Sequence, residues 1–179
     1  MFTTDPDAEF AALVQRQSRF VFRVAYAVLL NAHDAEDAVQ ETFLKLYRNR
    51  GWQRAENERA FLARTAWRIA VDLRPHTQRP IQIDADDEAH EVPSSVPGPD
   101  QQALSADQNA RIHNLIDTLP EELRVPLVLA SFQELTSRDI AATLGVPEGT
   151  VRTRLQRARL LLREKLTRLD TPIQEVRHA

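Results

Sequence analysis

The sequence predicts an all-α protein of two small helical units joined by a proline-rich acidic linker, and three observations carry that prediction. Only 4 of the 179 residues are glycine while 42% are hydrophobic, a balance that suits packed helices better than a turn-rich sandwich or barrel. Apolar residues recur at helical spacing over both ends of the chain. Between them, from Arg74 to Asp100, the run RPHTQRPIQIDADDEAHEVPSSVPGPD holds five prolines and an acidic cluster at Asp84 to Glu88 but no apolar repeat, which reads as a linker. The expected organisation is a first unit at 1–74, a flexible linker at 75–103, a second unit at 104–170 and a tail at 171–179.

In the first unit a helix is expected from about Ala8 to Leu30, apolar over much of its surface. The second starts at Asp34, whose carboxylate can cap free backbone N–H groups, and runs to Arg48. The short turn NAHD between them predicts antiparallel packing. Val39, Phe43 and Leu46 turn inward on this helix, leaving Asp37, Gln40, Glu41, Leu44 and Arg48 outside. An acidic stripe with a leucine in it suits a protein contact, although a merely solvated face is the commoner reason for such a pattern.

The third helix, Glu58 to Leu73, buries Leu62, Ala66, Ile69 and Leu73 and leaves Phe61, Arg64, Trp67, Arg68 and Val71 on its outer side. The loop before it, NRGWQRAENER, adds Arg50, Trp52, Arg54 and Asn57. Aromatic planes can stack unpaired bases while guanidinium groups hold the backbone. Packing against a neighbouring helix is the more ordinary use of such side chains.

The second unit opens with a helix from about Leu104 to Thr118, then LPEELRVPLVLASF, where Pro120 suits a first helical turn. Pro126, six residues in, removes a backbone hydrogen bond and predicts a kink or break. In TSRDIAATLG, Thr136 can cap and Asp139 stands at the capping-box position, with Gly145 closing the helix. After the turn Gly145-Val146-Pro147 comes VPEGTVRTRLQRARLLLREKL, with four arginines between Arg152 and Arg159. A short helix, a glycine turn and a longer helix form the helix-turn-helix pattern, whose second helix enters the major groove.

On a helical wheel Val151, Leu155, Ala158, Leu162, Leu166 and Leu169 form the core stripe. The opposite face presents Gly149, Thr150, Thr153, Gln156 and Arg157, flanked by Arg152 and Arg154. Hydroxyls and an amide between guanidinium groups can touch base edges while the flanks hold phosphates. Leu160 and Leu161 lie off the stripe, so an apolar partner or the unit's first helix should cover them.

Composition narrows the classes further. The net charge of -3 is set by the segment 75–110, which holds seven acids and one arginine; without it the chain is +3. Of the 23 basic residues 21 are arginine, as GC-rich coding alone can produce. Zero cysteines leave no disulfide, thiolate metal site or cysteine nucleophile. The histidines at 33, 76, 90, 113 and 178 are scattered, with no glycine-rich phosphate loop and no GxSxG elbow, so neither an enzyme nor a cofactor or metal is expected. The N-terminus has no signal-peptide pattern and no apolar run approaches the roughly 18 residues of a membrane span. A cytoplasmic location is expected.

These runs together resemble a known family. DAEDAVQETFLKLYR, Asp34 to Arg48, is similar to the core-binding segment of bacterial sigma factors of the extracytoplasmic-function (ECF) class, within the sigma-70 family. RAFLARTAWRIAVDLR, Arg59 to Arg74, resembles the promoter-melting segment that follows it, and LPEELRVPLVLASFQELTSRDIAATLGVPEGTVRTRLQRAR resembles region 4. The resemblance implies a subunit that binds core RNA polymerase and directs it to promoters. Asp37, Gln40, Glu41, Leu44 and Arg48 would then dock on the coiled coil of the largest polymerase subunit. Trp52, Arg54, Asn57, Phe61, Arg64, Trp67 and Arg68 would meet the melted minus-10 element, capturing a flipped base. Thr150, Arg152, Thr153, Arg154, Gln156 and Arg157 would read the minus-35 element, Leu160 and Leu161 would serve the polymerase flap, and the acidic linker would follow the RNA path. An anti-sigma protein is a further partner of the class.

Two departures fall in the melting segment: Arg68 stands where asparagine is common, and Arg74 is followed by PHTQRP rather than a basic run. The alternative is a helix-turn-helix regulator that binds DNA without joining polymerase. It accounts for the second unit but leaves the DAEDAVQETF face unused.

Overall fold

The computed structural model describes residues 5–74, 109–132 and 134–170. The linker, and with it any test of its RNA-path role, lies outside the described residues, as does the tail. Every regular element among them is helical. The first unit consists of α1 (Pro6–Leu29), α2 (Ala32–Asn49), a single 3-10 turn at Gly51–Arg54 and α3 (Glu58–Leu73). The second comprises α4, helical over 109–117, then α5 (Glu121–Ala130), α6 (Ser137–Leu144) and α7 (Glu148–Asp170).

Local chemistry explains most of the boundaries. Asp5 accepts a hydrogen bond from the Asp7 amide at the start of α1, where Pro6 occupies a first-turn position whose N–H would have no partner. Leu30, in the left-handed region at φ 52°, ends α1. The cap of α2 is Asn31 rather than Asp34: its side chain accepts from the Asp34 amide at 2.9 Å. Two good capping residues stand three positions apart, and the earlier one wins because Asp34 can then favour the positive helix end from inside the first turn. Asn57 caps α3 in the same way, accepting from the Ala60 amide at 2.9 Å.

α1 and α2 run antiparallel, with Tyr47 near the end of α2 donating to Asp7 near the start of α1. Leu13, Val21 and Val24 of α1, Phe43 and Leu46 of α2, and Leu62, Ala66 and Ile69 of α3 form the core of this unit. Arg16 and Gln17 reach across to Glu58, with Gln17 Nε2 2.7 Å from its carboxylate. That carboxylate also sits in the first turn of α3, where it favours the helix dipole.

Pro126 does not break its helix. α5 runs through it from Glu121 to Ala130, with Pro126 fully buried. The bond it forgoes would have gone to the carbonyl of Glu122, an exposed residue where water can serve. The α6–α7 corner follows expectation closely. Thr136 and Asp139 form the reciprocal capping box, Gly145 adopts φ 66°, and α7 starts three residues later. Ile140, Val151, Leu155 and Ala158 are buried, each large side chain contributing on the order of 1.5–3 kcal/mol. Beyond Leu162 the stripe is uncovered: Leu166 and Leu169 are exposed, because α7 extends past the described helices that cover its first half. Leu161 and Leu162 pack with Leu119 and Leu123, whereas Leu160 is exposed.

The two units share one core. Val125, Leu129, Ile140 and Val151 of the second unit belong to the same buried cluster as the first unit's Leu13, Phe20 and Ala63. α5 lies against α1, and α6 against α3. At the seam Phe20 and Phe132 meet edge to face at 4.6 Å. The Arg59 guanidinium lies over both rings, and its Nε is 3.1 Å from Glu134.

Candidate nucleic-acid and polymerase interfaces

The α2 face is fully open. Asp37, Gln40, Glu41, Leu44 and Arg48 are all exposed, along one stripe at helical spacing. Leu44 is 48% exposed and its neighbour Tyr47 45%, so two large apolar surfaces stand among the carboxylates. Leu44 is not needed to fill the core, which Ala35, Ala38, Thr42, Phe43 and Leu46 supply from the other side, whereas Tyr47 rests its ring on Phe10 at 5.1 Å.

The α7 strip is also open over most of its width. Gly149, Arg152, Thr153, Gln156 and Arg157 are exposed, and Thr150 is half-buried. Arg152 pairs with Glu148 one turn earlier. Arg154 leans the other way, lining an open groove of about 480 Å³ between the units with Trp67, Val125, Pro126, Leu144 and Val146. One flank of the strip therefore faces solvent and the other faces the seam.

On α3 the expected face divides. Arg54, Arg64 and Arg68 are exposed, but the aromatics turn inward. Trp52 packs against Phe10 with its indole N–H buried and without a hydrogen-bond partner. Phe61 lies against the loop, so close that a Cβ on Gly51 would stand 3.1 Å from its ring. Trp67 and Val71 pack on the shared core, while Leu73, expected inside, is 45% exposed. Asn57 has both ends of its amide engaged, the oxygen in the α3 cap and the nitrogen on the Glu134 carbonyl at 3.3 Å. The wheel assumed one buried face, whereas α3 is packed on two, against its own unit and against α6.

Sequence reasoning missed the polar seam. Arg124, 5% exposed, donates to the Ala27 carbonyl of α1 at 2.8 Å and to the Leu119 carbonyl at 2.6 Å. Burial lowers its pKa, partly opposed by Glu121 and Asp117. Burial also raises the pKa of Asp117, against the pull of Arg124 and of Tyr26. His113, near Arg23, is held below its ordinary pKa by burial and then by Arg23 and Arg19. An arginine inside the apolar run LRVPLVLA was the one available signal for this seam. Among the described residues no cluster of side chains could hold a metal ion, and no helix is long and apolar enough to cross a membrane.

The Sigma-70 region 2 family model matches residues 13–79 and the Sigma-70 region 4 model residues 109–162. The chain is 34% identical over 157 residues to the ECF RNA polymerase sigma factor SigE of Mycolicibacterium smegmatis, covering 87% of this chain and 61% of that protein. It is 31% identical to the RNA polymerase sigma-H factor of Pseudomonas aeruginosa, covering 89% of this chain and 93% of that one. Against SigW of Bacillus subtilis identity is 30%, over 90% of each. The fold is similar to CnrH, solved with the cytosolic domain of CnrY, at TM-score 0.60, 22% identity and coverage of 92% of this chain and 91% of that one. It is also similar to RpoE of Bartonella quintana, solved with the anti-sigma factor NepR, at TM-score 0.62, 18% identity and coverage of 91% and 99%. With two helical units, an α6–α7 corner in the second and these relatives along most of its length, the chain belongs to the ECF class of sigma-70 family RNA polymerase sigma factors.

Proposed function

We propose that this sigma factor joins core RNA polymerase through the exposed stripe of α2, reads a minus-35 element with the first half of α7, and captures unstacked minus-10 bases at α3. In this reading residues 1–74 serve polymerase binding and the minus-10 element, and 104–170 the minus-35 element. The chain acts by binding, with no chemistry of its own, in the cytoplasm where polymerase and promoter meet. A partner like that solved with RpoE, an anti-sigma protein, is proposed as its regulator.

The observation that carries the reading is the α2 stripe: four polar residues and Leu44, all exposed and none needed by the fold. A regulator that bound DNA alone would have no use for it. The test is a pull-down with core polymerase, comparing the chain with its Asp37→Arg, Glu41→Arg double variant. Binding that is lost in the variant supports the reading. Binding that survives unchanged would sink it, leaving the DNA-only regulator as the account.

A further inference from the structure

We propose that Glu148, the residue that opens α7, selects a cytosine in the minus-35 element, its carboxylate accepting a hydrogen bond from the exocyclic amine of that base in the major groove. This role rests on the minus-35 reading above and deepens it. A residue that sets specificity is added to a strip whose arginines supply affinity.

A carboxylate is out of place on this strip. The run EGTVRTRLQRAR, 148–159, holds four arginines and no acid besides Glu148. α7 starts at Glu148, and the first turns of a recognition helix are the part that meets base edges. Phosphates within about 10 Å, the screening length at about 0.1 M salt, repel a negative side chain on every duplex alike. That cost is offset only where a base donates a hydrogen to the carboxylate. Specific binding then loses less than non-specific binding, and the ratio between them rises.

Chemistry narrows the base. In the major groove guanine and thymine offer acceptors, which repel a carboxylate, while cytosine and adenine carry amines. Adenine sets its N7 acceptor beside the amine, so cytosine is the base whose own edge offers a donor and no acceptor.

The local geometry suits this use. Glu148 Oε1 is 2.5 Å from Arg152 Nη2, one turn on, with the two side chains 41% and 69% exposed. Glutamate four residues before arginine is the favourable order on a helix, so the pair steadies both groups beside the exposed Gly149 and Thr153. Oε1 serves Arg152, and Oε2 is the oxygen to offer a base. Because arginine favours guanine O6 and N7, the pair sets an acceptor beside a donor fork, the complement of a G·C pair. Gly149 adds an independent sign of close approach. A Cβ there would meet nothing within 4 Å, so the fold does not require glycine at a helical position where it is less stable than alanine. Its bare backbone lets the start of α7 sit close to an outside surface, bringing the short Glu148 side chain to a base edge.

An acid in the first turn also favours the helix dipole, a role that selects no base. The test separates the two. Core polymerase carrying this chain is given a promoter library with the minus-35 element randomised, and the selected sequences are read from the transcripts. The parent should require cytosine at one position. Glu148→Gln should move the preference there to adenine, which an amide bonds through N6 and N7, by about fivefold or more. Glu148→Ala should lose the preference at that position, keep it elsewhere, and bind an unrelated duplex about twofold more tightly at low salt. Variants that match the parent at every position would overturn the proposal. So would a uniform loss at all positions, which would show that Glu148 only supports the helix. A parent that binds core polymerase yet shows no minus-35 preference would overturn the minus-35 reading itself, and this role with it.

Discussion

The α2 and α3 faces of the first unit lie a few residues apart in sequence but meet different surroundings. On α2 the stripe from Asp37 to Arg48 is exposed throughout, Leu44 included. On α3 the arginines are exposed while Phe61, Trp67 and Asn57 are packed or hydrogen-bonded. On the proposed reading, the surface that would meet a large partner is open, and the one that would stack on unpaired bases is partly covered.

The sharpest way to break the comparison is at Leu44. Leu44→Asp should weaken core polymerase binding by about 2–3 kcal/mol, the worth of a buried leucine at a contact, and leave the thermal midpoint unchanged. A falling midpoint with intact binding would place Leu44 in the fold rather than in the interface. Trp67→Ala comes next. It should cost about 1–3 kcal/mol in binding a single-stranded minus-10 oligonucleotide to the polymerase-bound chain, and equal affinity in titration would remove Trp67 from the DNA site.

Arg157→Ala should cost about 1–3 kcal/mol on a duplex minus-35 site if it touches a base. Its exposure on α7 makes that loss measurable by fluorescence anisotropy. Thr136→Ala removes the α6 cap and should lower stability by about 1 kcal/mol in urea unfolding. An unaltered midpoint would show that the corner stands without it.

The smallest effect is expected with pH. The His113 pKa is depressed in the folded chain below its ordinary 6.5. Neutral His113 therefore contributes stability that is complete above that ordinary value and is lost as pH falls through the folded pKa. Moving from pH 7.5 to pH 5.5 should loosen the α1–α4 contact, where Arg23 and Arg19 face the ring, and His113→Gln should blunt that response in hydrogen exchange. Identical responses in the two proteins would remove His113 as the cause.

Which parts of this were legible depends on whether the cause was local. Thr136, Asp139 and Gly145 set the α6–α7 corner through short-range hydrogen bonds and one left-handed residue, and the sequence shows all three. The α2 stripe was legible because its inward and outward residues alternate cleanly. Periodicity reports that a face is buried, not what buries it, so Phe20, Phe132 and Arg59 could not be told from residues of two separate cores. The same limit made Leu166 and Leu169 look buried: a wheel assumes a partner along the whole helix, and α7 outruns its own. At the start of α2 two capping residues stand three positions apart, and the sequence alone does not show that Asn31 rather than Asp34 takes the cap.

The most direct measurement of the central claim is to sequence the 5′ ends of transcripts made in vitro by core polymerase on genomic DNA, with and without this chain. A new set of start sites, preceded by shared minus-35 and minus-10 sequences, should appear only with the chain and vanish with the Asp37→Arg, Glu41→Arg variant. Start sites that do not change, from a chain that still binds duplex DNA, would contradict it.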